Sequence, residues 1–163
     1  MKLTIRKAKL RDVELLIPLA LELMMYVRNL NRKKTTEHDI LKLIPDVKKL
    51  WKKWAIKNIK SQNSYVVVAV VDDEIVGYSM NFIKKNVPVY AVKKIGYVSD
   101  LYVKSGYRNK GIASKFKNLA FKWFKKKGLK YSSIAVYHKN IKAHAIYKKW
   151  GFFDYKIEMI RVL

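Results

Sequence analysis

Residues Arg108–Ala113 read Arg-Asn-Lys-Gly-Ile-Ala, and this stretch decides how the rest of the chain is interpreted. A β-type run, Ile95–Val103, precedes it, and an amphipathic helical pattern follows from about Gly111 to Lys127. The first N–H groups of a helix have no intrahelical acceptor, and the helix dipole adds about half a positive charge there. A strand, a short basic loop and a helix N-terminus therefore predict a phosphate-binding site.

The side chains of this stretch fit such a site. Arg108 and Lys110 supply positive charge, Ser114 supplies a hydroxyl, and Gly111 has no Cβ to keep a ligand from the backbone. The spacing Arg-x-x-Gly-x-Ala matches neither the dinucleotide fingerprint nor the nucleoside-triphosphate loop. A strand, a turn and a helix also occur in every α/β protein, so these residues alone leave a purely structural connection open.

Two segments resemble the GNAT superfamily of N-acetyltransferases. Val98–Val103 followed by Tyr107–Ala113 is similar to the central motif of that superfamily, Arg/Gln-x-x-Gly-x-Gly/Ala. Asn140–Phe152 is similar to its C-terminal motif, Asn-x-x-Ala-x-x-x-Tyr-x-x-x-Gly-Phe. The two motifs occur in the expected order, about thirty residues apart. Together they identify the family more specifically than either would alone, although the resemblance is sharp only between Ile95 and Phe152.

The elements around these motifs predict an α/β (α+β) fold. One mixed, mostly antiparallel, twisted sheet with helices on both faces is expected, in a single domain over 1–163. The resemblance implies a splayed pair of central strands. The predicted strands are 2–8, 65–71, 74–83, 95–103, 131–137 and 152–163, and the predicted helices are 12–27, 36–58, 111–127 and 140–151. Pro18 should kink or split the first helix, and Pro45 should break the second.

The resemblance also implies acetyl-CoA as the cosubstrate. Its pyrophosphate is expected at the N–H groups of Asn109–Ser114, and its pantetheine arm along the backbone of Leu101 and Val103. The expected cofactor-binding residues are Leu101, Val103, Arg108, Asn109, Lys110, Gly111, Ile112, Ala113, Ser114 and Asn140.

Transfer of the acetyl group to an amine requires a proton donor for the leaving thiolate and a group that accepts the proton of the amine. Tyr147, within the C-terminal motif, is the candidate general acid, and packing of an apolar helix face is its alternative. Many relatives carry a glutamate where this chain has Ser99. Asp100 remains as the candidate base, and a purely structural carboxylate is equally compatible with its position. His38, His138 and His144 show no metal-ligand spacing, so no metal is expected.

The composition limits which partners and which cellular location can be expected. The formal charge is +24, yet the lysines are dispersed, which favours general solvation over nucleic-acid binding. Cysteine is absent, which excludes disulfides and a thiolate nucleophile, and the lysine-rich, glutamine-poor composition leans toward a thermophilic source. No signal peptide and no membrane span are expected, so the default location is the cytoplasm. Exposed sheet edges are compatible with a homodimer.

Two functions are compatible with the sequence. The first is an N-acetyltransferase that acts on a primary amine of a protein, a peptide or a small molecule by direct attack in a ternary complex. The second is a non-catalytic acyl-CoA-binding or nucleic-acid-binding module on the same fold, which the charge and Ser99 support. The sequence argues against a hydrolase or a nucleotide kinase, because it has no serine elbow and no phosphate-binding loop that ends in Gly-Lys-Ser/Thr. The acceptor, the oligomeric state and the source temperature are not determined by the sequence.

Overall fold

A computed structural model describes residues 2–31 and 33–163, arranged as ten helices and strands besides two short 3₁₀ turns. Met1, in the N-terminal segment considered for a signal peptide, and Arg32, in the polar connection after the first helix, lie outside the described residues. The elements are β1 (Leu3–Lys7), α1 (Val13–Asn29), α2 (Thr36–Ile40), α3 (Val47–Lys60), β2 (Ser64–Val71), β3 (Glu74–Lys85), β4 (Lys94–Val103), α4 (Ile112–Lys126), β5 (Ser132–Ile134) and α5 (Ile141–Lys149).

The chain divides into two compact units. The first contains residues up to Leu23 together with Pro45–Ala135, and the second contains Met24–Ile44 together with Val136–Leu163. The first unit therefore holds all five strands, α3 and α4, and the second holds α2 and α5. The single-domain organisation expected from the sequence stays a prediction.

The sheet of the first unit has the order β1-β2-β3-β4-β5. The first four strands pair antiparallel, and β5 pairs parallel with β4, so the predicted mixed and mostly antiparallel sheet is confirmed. Asp72 and Asp73 form the predicted turn between β2 and β3, both with positive φ. An added Cβ at Gly77 would lie 2.6 Å from the carbonyl oxygen of Tyr102, which explains a glycine in this strand.

Helices cover both faces of this sheet. Apolar residues of α4, including Ile112 and Phe116, pack against β2, β3 and the end of β4. Trp51 of α3 packs edge-on against Tyr78 of β3, with 5.9 Å between ring centroids, on the opposite face. Gly128 ends α4 at φ 73°, as its position after the helical pattern predicts.

Four predicted elements differ from the structure. Helix α1 is continuous across Pro18, and its N-terminus follows a 3₁₀ turn that contains Asp12. The second helical region is broken, as predicted, but the break covers residues 41–46, so α2 already ends at Ile40 and Pro45 lies near the start of α3. Strand β5 spans three residues instead of seven. Residues 152–163, predicted as the closing strand, form no helix or strand, and the side chains of its last eleven residues are exposed.

Candidate functional site

Within the first unit, the edge of β4 that faces β5 is open beyond Val98, where the pairing between these two strands ends. Backbone groups of successive strand residues point to opposite sides. Lys104 donates its N–H to Val76 of β3, at 2.9 Å, so Leu101 and Val103 direct their backbone groups away from β3. The strand therefore offers main-chain donors and acceptors to which an extended amide chain can add as a further strand.

Arg108 lies at this open edge. Its Nε donates to the carbonyl oxygen of Val103 at 2.9 Å, and its guanidinium lies over the ring of Tyr102, 5.7 Å from the centroid. A cation is thereby held beside the backbone groups that are expected to bind a ligand.

The loop after β4 leads directly to the N-terminus of α4. Lys104 forms an ion pair with Glu74, and the Tyr107 hydroxyl donates to the same carboxylate at 3.3 Å, which ties the loop to β3. Asn109 and Gly111 both have positive φ, at 61° and 76°. The first helical bond of α4 runs from the N–H of Lys115 to the carbonyl of Gly111, so the preceding N–H groups have no intrahelical acceptor.

The side chains around this helix end differ in what they can contribute. Arg108, Asn109, Lys110 and Ser114 are exposed, and no atom lies within 4 Å of a Cβ added at Gly111. Ile112 is 2% exposed and belongs to the core, so only its backbone can meet a ligand. The combination of open space, positive side chains and outward N–H groups suits a phosphate.

Asp100 lies on the opposite face of β4 from α4. Its Oδ2 accepts a hydrogen bond from the Tyr78 hydroxyl at 2.9 Å, and its Oδ1 accepts one from the Ser99 hydroxyl at 3.1 Å. The indole N–H of Trp51 is directed at the same carboxylate without reaching hydrogen-bond geometry, and it has no other partner among the described residues. Asp100 is therefore oriented by donors on two strands and approached by one on α3.

Burial raises the pKa of Asp100 above its usual range, while hydrogen bonds from Tyr78 and Ser99 act in the opposite direction. The phenol of Tyr78 is fully buried, and burial and the neighbouring negative charge of Asp100 raise its pKa well above 10. Tyr78 thus remains a proton donor to the carboxylate across the neutral range. A carboxylate with a raised pKa in such a setting is a candidate proton acceptor.

A second carboxylate lies on the same face of the sheet. Glu22 of α1 accepts a hydrogen bond from the Tyr102 hydroxyl at 2.5 Å. Burial and this carboxylate raise the pKa of Tyr102 to about 12. The sequence gives no signal for the pairs Tyr78–Asp100 and Tyr102–Glu22, because only the strand register and the packing of α1 bring them together.

The second unit contains the remaining predicted site residues. Asn140 caps α5, and its side chain accepts a hydrogen bond from the N–H of Ala143 at 3.3 Å. Tyr147 is half-buried against Trp150 and Phe152, with 5.6 Å and 6.3 Å between ring centroids. Burial raises the pKa of Tyr147 to about 12. Its hydroxyl makes no hydrogen bond to the residues that the structure describes, so it can donate to a ligand.

The described residues contain no group of three His, Cys, Asp or Glu side chains that could hold a metal ion. Over the same residues, no helix is long and apolar enough to cross a membrane.

Comparison with known proteins gives both a family and a fold. A model of the acetyltransferase (GNAT) family matches residues 26–152. No curated protein matches the chain at a significant level.

Solved structures of similar fold cover nearly the whole chain. A tetramutant protein from Bacillus halodurans is 21% identical, with a TM-score of 0.81, and the match covers 98% of this chain and 99% of the other. A predicted acetyltransferase from Clostridium acetobutylicum, solved with acetyl-CoA, is 17% identical, with a TM-score of 0.78 and coverage of 99% and 96%. An aminoglycoside antibiotic 6'-N-acetyltransferase from Acinetobacter haemolyticus is 14% identical, with a TM-score of 0.74 and coverage of 98% and 97%. At these identities the likeness shows the fold.

Proposed function

The chain belongs to the acetyltransferase (GNAT) family, and on that premise we propose that it transfers an acetyl group from acetyl-CoA to a primary amine. The amine attacks the thioester directly in a ternary complex. The observation that carries the proposal is the open edge of β4 immediately before a basic loop and the N-terminus of α4. An extended amide chain that ends in a pyrophosphate needs these two kinds of binding surface side by side.

The residues of the first unit fit acetyl-CoA. The backbone groups of Leu101 and Val103 are directed to the open edge, where pantetheine amides can pair with them. The N–H groups from Asn109 to Ser114 receive the pyrophosphate, and Arg108 and Lys110 add positive charge. Arg108 already donates to Val103, so the guanidinium must share or release that carbonyl when the pantetheine binds.

Asp100 is proposed to accept, directly or through a water molecule, the proton that an ammonium loses before it becomes a nucleophile. The hydrogen bonds from Tyr78 and Ser99 hold its two oxygens in place. The neutral amine nitrogen then forms a bond to the thioester carbon. The N–H of Leu101 is proposed to stabilise the developing oxyanion. Because the two reactants are held side by side, their proximity supplies much of the rate acceleration.

Tyr147 is proposed to protonate the departing sulfur when the carbon–sulfur bond breaks. Its pKa of about 12 keeps the phenol protonated at neutral pH, and its hydroxyl makes no hydrogen bond to the described residues. A half-buried phenol with a free hydroxyl is suited to donate a proton only when a charge develops beside it.

Consumption of acetyl-CoA with a mixed panel of amines, peptides and polyamines tests the function. Turnover that depends on one acceptor class, and that Asp100→Asn reduces by about 100-fold or more, is the expected result. Binding of acetyl-CoA without turnover on any acceptor would support the second candidate, a non-catalytic acyl-CoA-binding module. Ser99, at the position where many relatives carry a glutamate, is the observation that favours this candidate.

A further inference from the structure

Glu22 is held by a tyrosine hydroxyl and not by a cation, although the chain is strongly basic. The chain has 36 lysine and arginine residues against 12 aspartate and glutamate residues. Five carboxylates are paired with a lysine or an arginine within the part of the chain that the structure describes, namely Asp12, Glu14, Glu37, Glu74 and Asp154. Glu22 is exposed and has no such partner in the same residues; its one hydrogen bond comes from Tyr102.

The position of Glu22 relates it to Asp100. Tyr102, which holds Glu22, follows Asp100 by two residues on β4, and both side chains lie on the face opposite α4. The Cα atoms of Asp100 and Tyr102, two residues apart on this strand, are separated by about 7 Å. Tyr102 also pairs in register with Tyr78, the residue that holds Asp100. Two carboxylates, each fixed by the phenol of a neighbouring strand residue, therefore lie along one face.

Arg108 is a cation beside this pair. Its guanidinium lies over the ring of Tyr102 and hydrogen-bonds the Tyr102 hydroxyl, and its Nε donates to the carbonyl of Val103. No ion pair joins Arg108 to Glu22 or Asp100 in the described part of the chain. Both carboxylates are therefore held by tyrosine hydroxyls and not by an ion pair.

Trp51 supplies an independent indication that a ligand enters here. Its side chain is 5% exposed, and its N–H, directed toward Asp100, has no hydrogen-bond partner among the described residues. A buried donor without a partner costs about 1–3 kcal/mol. A polar ligand or a water molecule bound beside Asp100 would complete this hydrogen bonding.

We propose that the acceptor is a small diamine or polyamine, and that Glu22 binds its second ammonium group while Asp100 receives the amine that reacts. This inference rests on the proposed acetyl transfer and names its acceptor class. Glu22 is a specificity-determining residue in this scheme, because an acceptor with one amine gains nothing from it.

The test compares diaminobutane with n-butylamine, which have the same carbon chain but two and one amino groups. Both are examined by calorimetric binding and by steady-state kinetics, with the native protein, Glu22→Gln and Glu14→Gln. Glu14 is the matched control, since it lies on the same helix but is already paired with Lys52. The expected result is a kcat/KM at least about 10-fold higher for the diamine in the native protein, lost in Glu22→Gln and kept in Glu14→Gln.

The outcomes separate this inference from the function on which it rests. Equal kcat/KM for the two amines in the native protein, or an equal loss for both in Glu22→Gln, overturns the subsite and leaves the acetyl transfer standing. Glu22-dependent binding of the diamine, with no acetyl transfer to it or to any acceptor of the mixed panel, supports the subsite and overturns the proposed function. Absence of the binding preference and of transfer across the whole panel overturns both.

Discussion

The phosphate site at the N-terminus of α4 can be tested by two substitutions that add the same side chain at opposite ends of this helix. Gly111 and Gly128 lie at opposite ends of this helix, with φ of 76° and 73°, and neither has an atom within 4 Å of an added Cβ. Glutamate at either position therefore meets the same backbone strain and no steric clash. Only Gly111→Glu places a carboxylate where the pyrophosphate is expected.

The two variants should rank in opposite orders for stability and for affinity toward acetyl-CoA. A residue other than glycine with positive φ costs about 1–2 kcal/mol in either variant. The helix dipole stabilises an added carboxylate at the N-terminus by about 0.3–1 kcal/mol and destabilises one at the C-terminus by a similar amount. Gly111→Glu should therefore be the more stable variant, with a Tm higher by about 1–8 °C than that of Gly128→Glu.

Binding should follow the reverse order. A carboxylate about 5 Å from a phosphate charge repels it by about 3 kcal/mol at an effective dielectric constant of 20. This corresponds to a loss of affinity of about 100-fold for Gly111→Glu. Gly128→Glu should keep the native affinity within about 3-fold, which is less than 1 kcal/mol.

Calorimetric titration with acetyl-CoA measures the affinities, and thermal unfolding of the same samples measures the stabilities. Gly111→Ala is the neutral companion, because it introduces the backbone strain without the charge. Native affinity in Gly111→Glu, or an equal loss in Gly111→Glu and Gly128→Glu, would show that the phosphates do not bind at this helix end.

Three further predictions concern single substitutions. Tyr147→Phe should lower kcat by about 100-fold or more while the affinity for acetyl-CoA stays native, because the phenol acts only when the thiolate leaves; native single-turnover rates would instead assign Tyr147 to packing. Tyr78→Phe should shift the acidic limb of the profile of kcat/KM against pH to higher pH, because a hydrogen bond that lowers the pKa of Asp100 is lost and this base must be ionised to act; an unshifted limb would contradict the role of Asp100. Gly96→Ala should destabilise the protein by about 1–3 kcal/mol, measured by urea unfolding, since the new Cβ would lie 2.6 Å from the ring of Phe124; native stability would show that this ring can move aside.

The helix that carries the predicted phosphate site follows closely from the sequence. The apolar period from Ile112 to Phe124 and the position of Gly128 place α4 within one residue of its observed ends. Both signals are local, since the period identifies the buried face and the glycine adopts the left-handed conformation that ends the helix.

Helix α1 shows why a local rule fails when burial opposes it. Proline inside a helix removes a hydrogen bond and costs about 3 kcal/mol, which predicts a kink or a break at Pro18. The residues on both sides of Pro18 are buried, whereas Pro18 itself is exposed. Packing of Leu16, Ile17, Leu19 and Ala20 therefore favours a continuous helix, and the proline ring projects into solvent.

The C-terminal segment shows the limit of a strand pattern. Phe153, Tyr155, Ile157 and Met159 alternate with polar residues, which is typical of a strand with one buried face. These four side chains are 76–89% exposed, and no strand forms in residues 152–163. Alternation specifies which residues share a face, but a strand also needs a partner edge, and nothing in the sequence identifies that partner.

The bulge at Ser99 determines which side chains of β4 face α4 and which face the opposite side of the sheet. Asn81 pairs with Val98 and Met80 with Asp100, so Ser99 is an additional residue in β4. Before it, the even-numbered Gly96 and Val98 face α4. After it, the odd-numbered Leu101 packs toward α4.

A regular β4 that kept Ser99 within the ladder would keep the even-numbered positions toward α4. Asp100 would then point into the apolar core around Val98 and Phe124, and burial of an unpaired carboxylate there would cost several kcal/mol. With the bulge, Asp100 instead reaches Tyr78, while the core side of the strand stays apolar. Deletion of Ser99 should therefore keep Asp100 toward Tyr78 and Leu101 toward α4, because Asp100 then takes the position after Val98 in a regular strand. It removes the bulge and the hydrogen bond from the Ser99 hydroxyl, whereas Ser99→Ala removes that hydrogen bond alone.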